Sequence, residues 1–263
     1  MRFTDSHCHL DFEEFANDRK QLLIDCAAAD IHRIIVPTIT PKNWQSALNL
    51  SASNQQSTHC KIFACLGIHP WFLTDLTDVD LAALSQQVKL NLNNIVAIGE
   101  TGIDNVIAEQ QNNYTQQHEF FVYQLELARQ YELPVIIHHR RSHPDIQAIL
   151  KSKPLNGGII HAFSGSYQQA KDYIDLGFKL GIGGTITYPR AKKTINAIKR
   201  LPLSSLVLET DAPSMPLYQF QGQHNSPLQV INVFTALCQI RAESAEVIAE
   251  QIELNIDNLL GLS

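Results

Sequence analysis

Asp5-Ser6-His7-Cys8-His9-Leu10-Asp11 follows directly on the first apolar run of the chain. In an extended strand, residues i and i+2 point the same way. His7 and His9 therefore aim at one point, while Cys8 faces the opposite side as a packing residue. Two neutral imidazoles converging on one point suit a divalent transition metal. Three later segments carry the remaining ligand types: Gly99-Glu100-Thr101, Ile137-His138 with Ile160-His161, and Glu209-Thr210-Asp211. The fold must gather these strand ends.

Working outward, apolar runs of strand length begin near Phe3, Ile34, Ile62, Ile95, Val135, Ile159, Leu180 and Leu206. Longer helical patterns separate them. Strands alternating with helices predict a parallel sheet, and eight of them predict closure into a (β/α)8 TIM barrel. Such a barrel takes about 250 residues, so the 263-residue chain is read as one domain spanning residues 1–263. Neither a linker nor a repeat divides it. Thr40-Pro41 predicts a helix start with Pro at the first position. Ser166 with Gln169, and Ser226 with Gln229, have capping-box spacing. Gly177 stands where a helix C-terminal glycine belongs. Phe121, Leu125 and Ala128 share one helical face, and Ile248, Ile252, Ile256 and Leu259 form a stripe on a final helix from about Ser244 to Leu260. These stripes are core packing.

The formal charge of −6 removes any global cationic field that would draw in long nucleic acid. Polyanion contacts must then be local. Arg140, Arg141 and His143 form the better basic cluster. Arg190, Lys192 and Lys193 form a second, expected to be solvated surface. The five cysteines make no CxxC pair, and the sequence opens directly into its first strand. Reduced thiols and a cytoplasmic protein with no membrane span are expected.

In a barrel of this kind the active site lies at the C-terminal ends of the strands. His7, His9, His69, Glu100, His138, His161 and Asp211 all fall where apolar runs stop. Four histidines with Glu100 and Asp211 exceed one ordinary zinc site and suit two divalent ions sharing a carboxylate. Glu100 is the natural bridge because a carboxylate has two oxygens. Asp211 can both bind metal and take a proton from the activated water. Zinc, manganese, iron, cobalt and magnesium all remain open. His32, His59, His118 and His143 are expected to be ordinary structural or surface histidines. His138 and His139 face opposite sides, and spacing alone does not choose between them. Asp5 and Asp11 are candidate orienters of the paired imidazoles, with solvation an equal expectation for Asp11. Asp104 either orients a ligand or caps a turn.

At these residues the chain resembles the TatD family of metal-dependent deoxyribonucleases. The matching motifs are Asp5-Ser6-His7-Cys8-His9-Leu10-Asp11, Gly67-Ile68-His69-Pro70, Gly99-Glu100-Thr101-Gly102-Ile103-Asp104, Leu133-Pro134-Val135-Ile136-Ile137-His138, His161-Ala162-Phe163-Ser164-Gly165 and Glu209-Thr210-Asp211-Ala212-Pro213. The resemblance implies an amidohydrolase-like TIM barrel. It implies His7, His9, Glu100, His138, His161 and Asp211 as metal ligands, choosing His138 over His139. It also implies His69 beside the substrate phosphate. Two departures stand out. Gly102-Ile103-Asp104-Asn105 lacks the tyrosine often found there, and His224-Asn225-Ser226-Pro227 carries a histidine where an arginine is common. A neutral imidazole cannot make a bidentate phosphate fork. His224 and Arg140 are the remaining candidates for phosphate contact.

The expected activity is divalent-metal-dependent hydrolysis of phosphodiesters, with a DNA 3′-end as substrate and no protein partner implied. The alternative keeps the two-metal centre and cleaves a carboxylic ester, including the ester of an aminoacyl-tRNA. A barrel that binds metal or a partner without catalysis is a third reading. It is disfavoured because all six ligand positions are filled.

Overall fold

Runs rich in Ile and Val become strands because branched side chains pack well on a pleated surface. The computed structural model describes residues 1–54 and 60–262; His59 lies outside the described residues. Among these, eight strands occur: β1 (Phe3–Asp5), β2 (Ile31–Pro37), β3 (Lys61–Leu66), β4 (Ile95–Asp104), β5 (Val135–Arg140), β6 (Gly158–Ile160), β7 (Phe178–Ile182) and β8 (Leu206–Leu208). Each pairs in parallel with the next in chain order. Helices fill the crossovers: α1 (Arg19–Ala28), α2 (Pro41–Asn54), α3 (Asp78–Leu90), α4 (Asn105–Gln111), α5 (Tyr114–Gln130), α6 (His143–Ser152), α7 (Tyr167–Asp175), α8 (Lys192–Ile198), α9 (Val230–Ile240) and α10 (Ala245–Leu260). This is the expected (β/α)8 TIM barrel.

The ring closes beyond the last regular residues of β1 and β8. Ser6 N–H donates to Leu208 O at 2.9 Å, Asp211 N–H to His7 O at 2.8 Å and His9 N–H to Ala212 O at 2.8 Å. Cys8 faces Ala212 in a parallel bridge. Asp5 staples this seam. Its Oδ1 accepts from the backbone N–H groups of Thr210 and His7, and its Oδ2 accepts from the Thr210 hydroxyl at 2.5 Å. Asp5 thus holds backbone rather than an imidazole.

Most helix signals resolve as expected. Pro41 opens α2, although the Thr40 hydroxyl donates to Asn43 Oδ1. Ser166 and Gln169 form a full capping box on α7, and Gly177 follows it at φ +88°. Ser244 caps α10. Ser226 differs. It caps a 3-10 turn at Pro227–Gln229 leading into α9, and Gln229 binds Asn232 instead of reaching back.

Two apolar clusters result. The larger lies between the strands and the helices and includes Cys8 and Cys26. The smaller draws Ile35, Cys65, Ala97, Ile136, Ile159 and Val207 from six strands, so it is the barrel interior, and Ile256 and Leu260 of α10 meet it. Arg33, buried near the start of β2, ties α10 to this end. Its guanidinium donates to Thr4 Oγ1, Glu253 Oε2, Asp257 Oδ1 and Leu262 O at 2.5–2.9 Å. Asn255 adds bonds to Leu203 O and Leu206 O beside the start of β8. The N-terminal face of the barrel is thereby given to stability and the opposite face left to chemistry.

Removing one partner of a buried ion pair leaves the other uncompensated, at a cost of about 3 kcal/mol. Arg33→Met is therefore expected to lower the urea midpoint by an amount equivalent to that cost. Metal content of the folded protein should stay unchanged, because the residue sits at the far end of the barrel; loss of metal without loss of stability would contradict this division.

Candidate metal centre

Glu100 is the residue whose placement the sequence did not foresee. It does not end β4, which runs on to Asp104. Ile98 pairs with Val135 and Thr101 with Ile137, so three steps on β4 oppose two on β5. That bulge re-aims one side chain. Gly99, at φ +153°, permits it, since a Cβ there would lie 2.8 Å from Ile136 Cβ. Glu100 N–H donates to Thr38 O at 2.9 Å, which fixes the bulged residue.

The Glu100 carboxylate, 2% exposed, divides its two oxygens between two groups. Oε2 lies 3.2 Å from His7 Nε2 and 3.5 Å from His9 Nε2. Asp211 Oδ1 lies 3.6 and 3.4 Å from the same nitrogens, which are 3.3 Å apart. A tetrahedral ion with donors at about 2.0–2.1 Å has donor–donor edges of about 3.3–3.4 Å. Five such edges here span 3.2–3.6 Å, so this donor set fits a divalent ion. Glu100 Oε1 faces the other way, 3.1 Å from His138 Nδ1 and 3.3 Å from His69 Nε2. His69, Glu100 and His138 form a second group of metal-capable side chains.

Hydrogen bonds fix the tautomers. A ligating imidazole gives its lone pair on one nitrogen and donates from the other. His9 Nδ1 donates to Pro37 O at 3.1 Å, leaving Nε2 for the centre. His138 Nε2 donates to Asp104 Oδ2 at 3.3 Å, leaving Nδ1 beside Glu100. His161 Nδ1 lies 3.0 Å from Glu209 Oε1 while its Nε2 faces Asp211 Oδ1 at 3.7 Å. His7 stacks on His161 at 3.5 Å between centroids. His69 is the exception. Its Nδ1 accepts the Trp71 N–H, so in the neutral ring Nε2 carries the proton. Burial lowers its pKa to about 4, against the pull of Glu100. A nitrogen bearing a proton has no lone pair for a metal. His69 thus donates from Nε2 toward Glu100 Oε1 and lines the cavity wall rather than offering a lone pair to a metal.

The electrostatics call for cations. Burial opposes charge on His161, but Glu209, Asp211 and Glu100 outweigh it and carry its pKa up to about 10. His9 is likewise held well above its ordinary value by Asp211 and Glu100 despite burial. In return, burial pushes Glu100 up but the surrounding imidazoles hold it well below the usual carboxylate range. Metal ions compete with these protons for one set of donors.

Three carboxylates had no settled role in the sequence. Glu209, fully buried, accepts the Ala162 N–H at 2.7 Å and faces His161. A Cβ at Gly181 would lie 2.0 Å from Glu209 Oε2, so only glycine leaves room for it. Its spacing to Asp211 is i, i+2, the same signal that singled out His7 and His9. Asp104 does both things considered for it. Oδ1 caps α4 through the Val106 and Ile107 N–H groups, while Oδ2 accepts from His138 and from Trp71 Nε1 at 2.6 Å. Asp11 is buried and accepts from Asn43 Nδ2 rather than standing in solvent. His143 is a bonded core histidine, between Tyr173 OH and Ser164 O.

A cavity of about 440 Å³ opens over these groups, lined by His9, His69, Glu100, His138, His161 and Asp211 among others. Arg140 lines it too, its side chain 52% exposed. His224 does not. It is exposed and absent from the lining, because its neighbour Asn225 turns inward instead and donates to Thr210 O and Met215 O. The imidazole expected near the substrate is thus exposed and outside the lining of this cavity.

Asp104→Asn separates the two tasks of that residue. The amide oxygen still caps α4, but its NH2 faces the donors of His138 and Trp71. Unfolding free energy is expected to stay near wild type. Divalent-metal affinity, measured by competition with a chromophoric chelator, should fall about ten- to hundredfold; unchanged affinity would show that His138 needs no orienter.

Comparison with known proteins identifies the relatives of the chain. The family model for TatD related DNase matches residues 4–261. The chain is 43% identical over 262 residues to an uncharacterized metal-dependent hydrolase, YjjV, of Escherichia coli K12, covering 99% of this chain and 98% of that protein. It is 42% identical over 253 residues to an uncharacterized metal-dependent hydrolase of Haemophilus influenzae, covering 94% and 95%. The crystal structure of YjjV, a TatD homolog from Escherichia coli, matches with a TM-score of 0.93 at 44% identity, covering 100% and 99% of the two chains. The chain therefore belongs to the TatD-related DNase family.

Proposed function

We propose that this metal-dependent hydrolase cleaves phosphodiester bonds at a DNA 3′-end, using His7, His9, Glu100, His138, His161 and Asp211 to hold two divalent ions. The observation that carries this reading is the divided Glu100 carboxylate, with one oxygen toward each group of imidazoles. Ions held there supply Lewis acidity toward a phosphoryl group and acidify water near neutral pH. The residues do the rest. Asp211 is the general base, because its Oδ1 faces three imidazoles while Oδ2 has no hydrogen-bond partner among the described residues. Oδ2 takes the proton of the attacking water. As the new P–O bond forms, the bond to the 3′-oxygen of the preceding nucleotide breaks, and that oxygen leaves with the proton returned from Asp211, which regenerates the carboxylate.

The Arg140 guanidinium is a donor for the charge that builds on the phosphoryl oxygens, and the His69 Nε2–H would join it where a phosphoryl oxygen replaces Glu100 Oε1 as its acceptor. Trp71 and Phe72, 40% and 41% exposed at the cavity rim, offer faces for a base to stack on. A strand end engages few phosphates, so the net charge of −6 is compatible with this substrate. Arg140 and the rim aromatics favour a nucleotide over a simple carboxylic ester.

Chelator-treated protein should be inactive, and reloading with divalent ions should restore turnover of thymidine 5′-(4-nitrophenyl phosphate). Asp211→Asn should lower kcat about 10²–10⁴-fold. Wild-type protein that ignores this substrate with every metal, yet hydrolyses aryl esters or lactones, would overturn the phosphodiester assignment.

A further inference from the structure

A second cavity, of about 380 Å³, adjoins the metal centre and shares Ser164, Thr185 and Met215 with the first. Two of the three cations in the second basic cluster, Arg190 and Lys193, line it; Lys192 does not. No carboxylate is among the lining residues. Arg190 and Lys193 make neither an ion pair nor a hydrogen bond among the described residues, so both charges are available to a ligand in this cavity. In a protein of net charge −6, two unpaired cations on one concave wall are a local reversal of sign.

The guanidinium is also held in place. Arg190 stands over the Tyr188 ring at 4.9 Å from its centroid. Tyr188 OH donates to Pro216 O at 2.7 Å and its ring packs edge-on against Tyr218. Tyr218 N–H in turn donates to Thr187 Oγ1. The loop after β7 and the loop after β8 thus lock together beneath a cation that faces open space. Holding a guanidinium over an aromatic face before binding reduces the ordering cost when an anion arrives.

We infer that Arg190 and Lys193 bind a second phosphate of a single-stranded substrate, the one belonging to the nucleotide next to the scissile bond. This rests on the phosphodiester reading and adds to it a minimum substrate length and a path. The strand runs from the Trp71 and Phe72 rim, over the metal centre, to the Arg190 and Lys193 wall. A charge-assisted contact of this kind favours the longer ligand by about tenfold. It also adds about 0.7 to the magnitude of the salt slope, the value per phosphate of a single strand.

The test compares a thymidine dinucleotide with the same dinucleotide carrying a 5′-phosphate, which differ only in that second phosphate. In wild-type protein kcat/KM should be about tenfold higher for the 5′-phosphorylated form, with a steeper salt dependence. In Arg190→Ala/Lys193→Ala the ratio should fall to near one. Lys61→Ala/Lys89→Ala, which removes the same charge away from the cavities, should keep the wild-type ratio. The same ratio is read a second time as binding affinity, by fluorescence anisotropy of labelled dinucleotides. Failure of wild-type protein to cleave either dinucleotide counts against the phosphodiester reading, and the affinity ratio then decides the subsite separately. A wild-type ratio of one, or a ratio unchanged in the Arg190/Lys193 variant, would overturn the inference.

Discussion

One buried carboxylate organises the catalytic face. Glu100 lies under the cavity floor and serves two groups of imidazoles with two different oxygens. An ionised carboxylate is costly to bury unless it is paired. Here the cost is met by convergence: the end of β1 brings two histidines to it, and the ends of β3 and β5 bring one each. The bulge in β4 allows this, because a regular strand would not turn residue 100 toward those partners. The geometry of the centre is therefore a consequence of one irregularity in an otherwise regular sheet.

The seam between β1 and β8 is the second requirement. His7 and His9 meet Asp211 because the ring closes there by backbone bonds and by the buried Asp5 staple. Closing the barrel and assembling half of the centre are the same event. At the far face, Arg33 and α10 lock the other end of the barrel without touching the site. Stability and chemistry are thus separated along the barrel axis, and the shared scaffold leaves the loops at the C-terminal face to determine what is bound.

Much of this was legible in the sequence. The alternation of apolar runs and helical stripes fixed the barrel, and the spacing of His7 and His9 marked its chemical face. Both signals are local and periodic, so they survive without tertiary context. The bulge at Glu100 did not show, because its cause is the close approach of β5 to Gly99, a non-local contact. The choice between His138 and His139 was also closed to spacing. Strand parity says that the two diverge but not which faces inward. Glu209 was in view, with the same i, i+2 relation to Asp211, yet its task depends on the room left by Gly181 on another strand. His224 stays exposed, while Asn225 beside it is buried and bonds the carbonyls of Thr210 and Met215.

On the proposed two-ion reading, Glu100 would span two cation sites. Crystals grown with manganese or zinc and measured at the metal absorption edge test it most directly. Two anomalous peaks are expected on either side of the Glu100 carboxylate, about 3.5–4 Å apart, one among His7, His9 and Asp211 and one toward His138. A single peak remote from Glu100, or no peak at saturating metal, would contradict it.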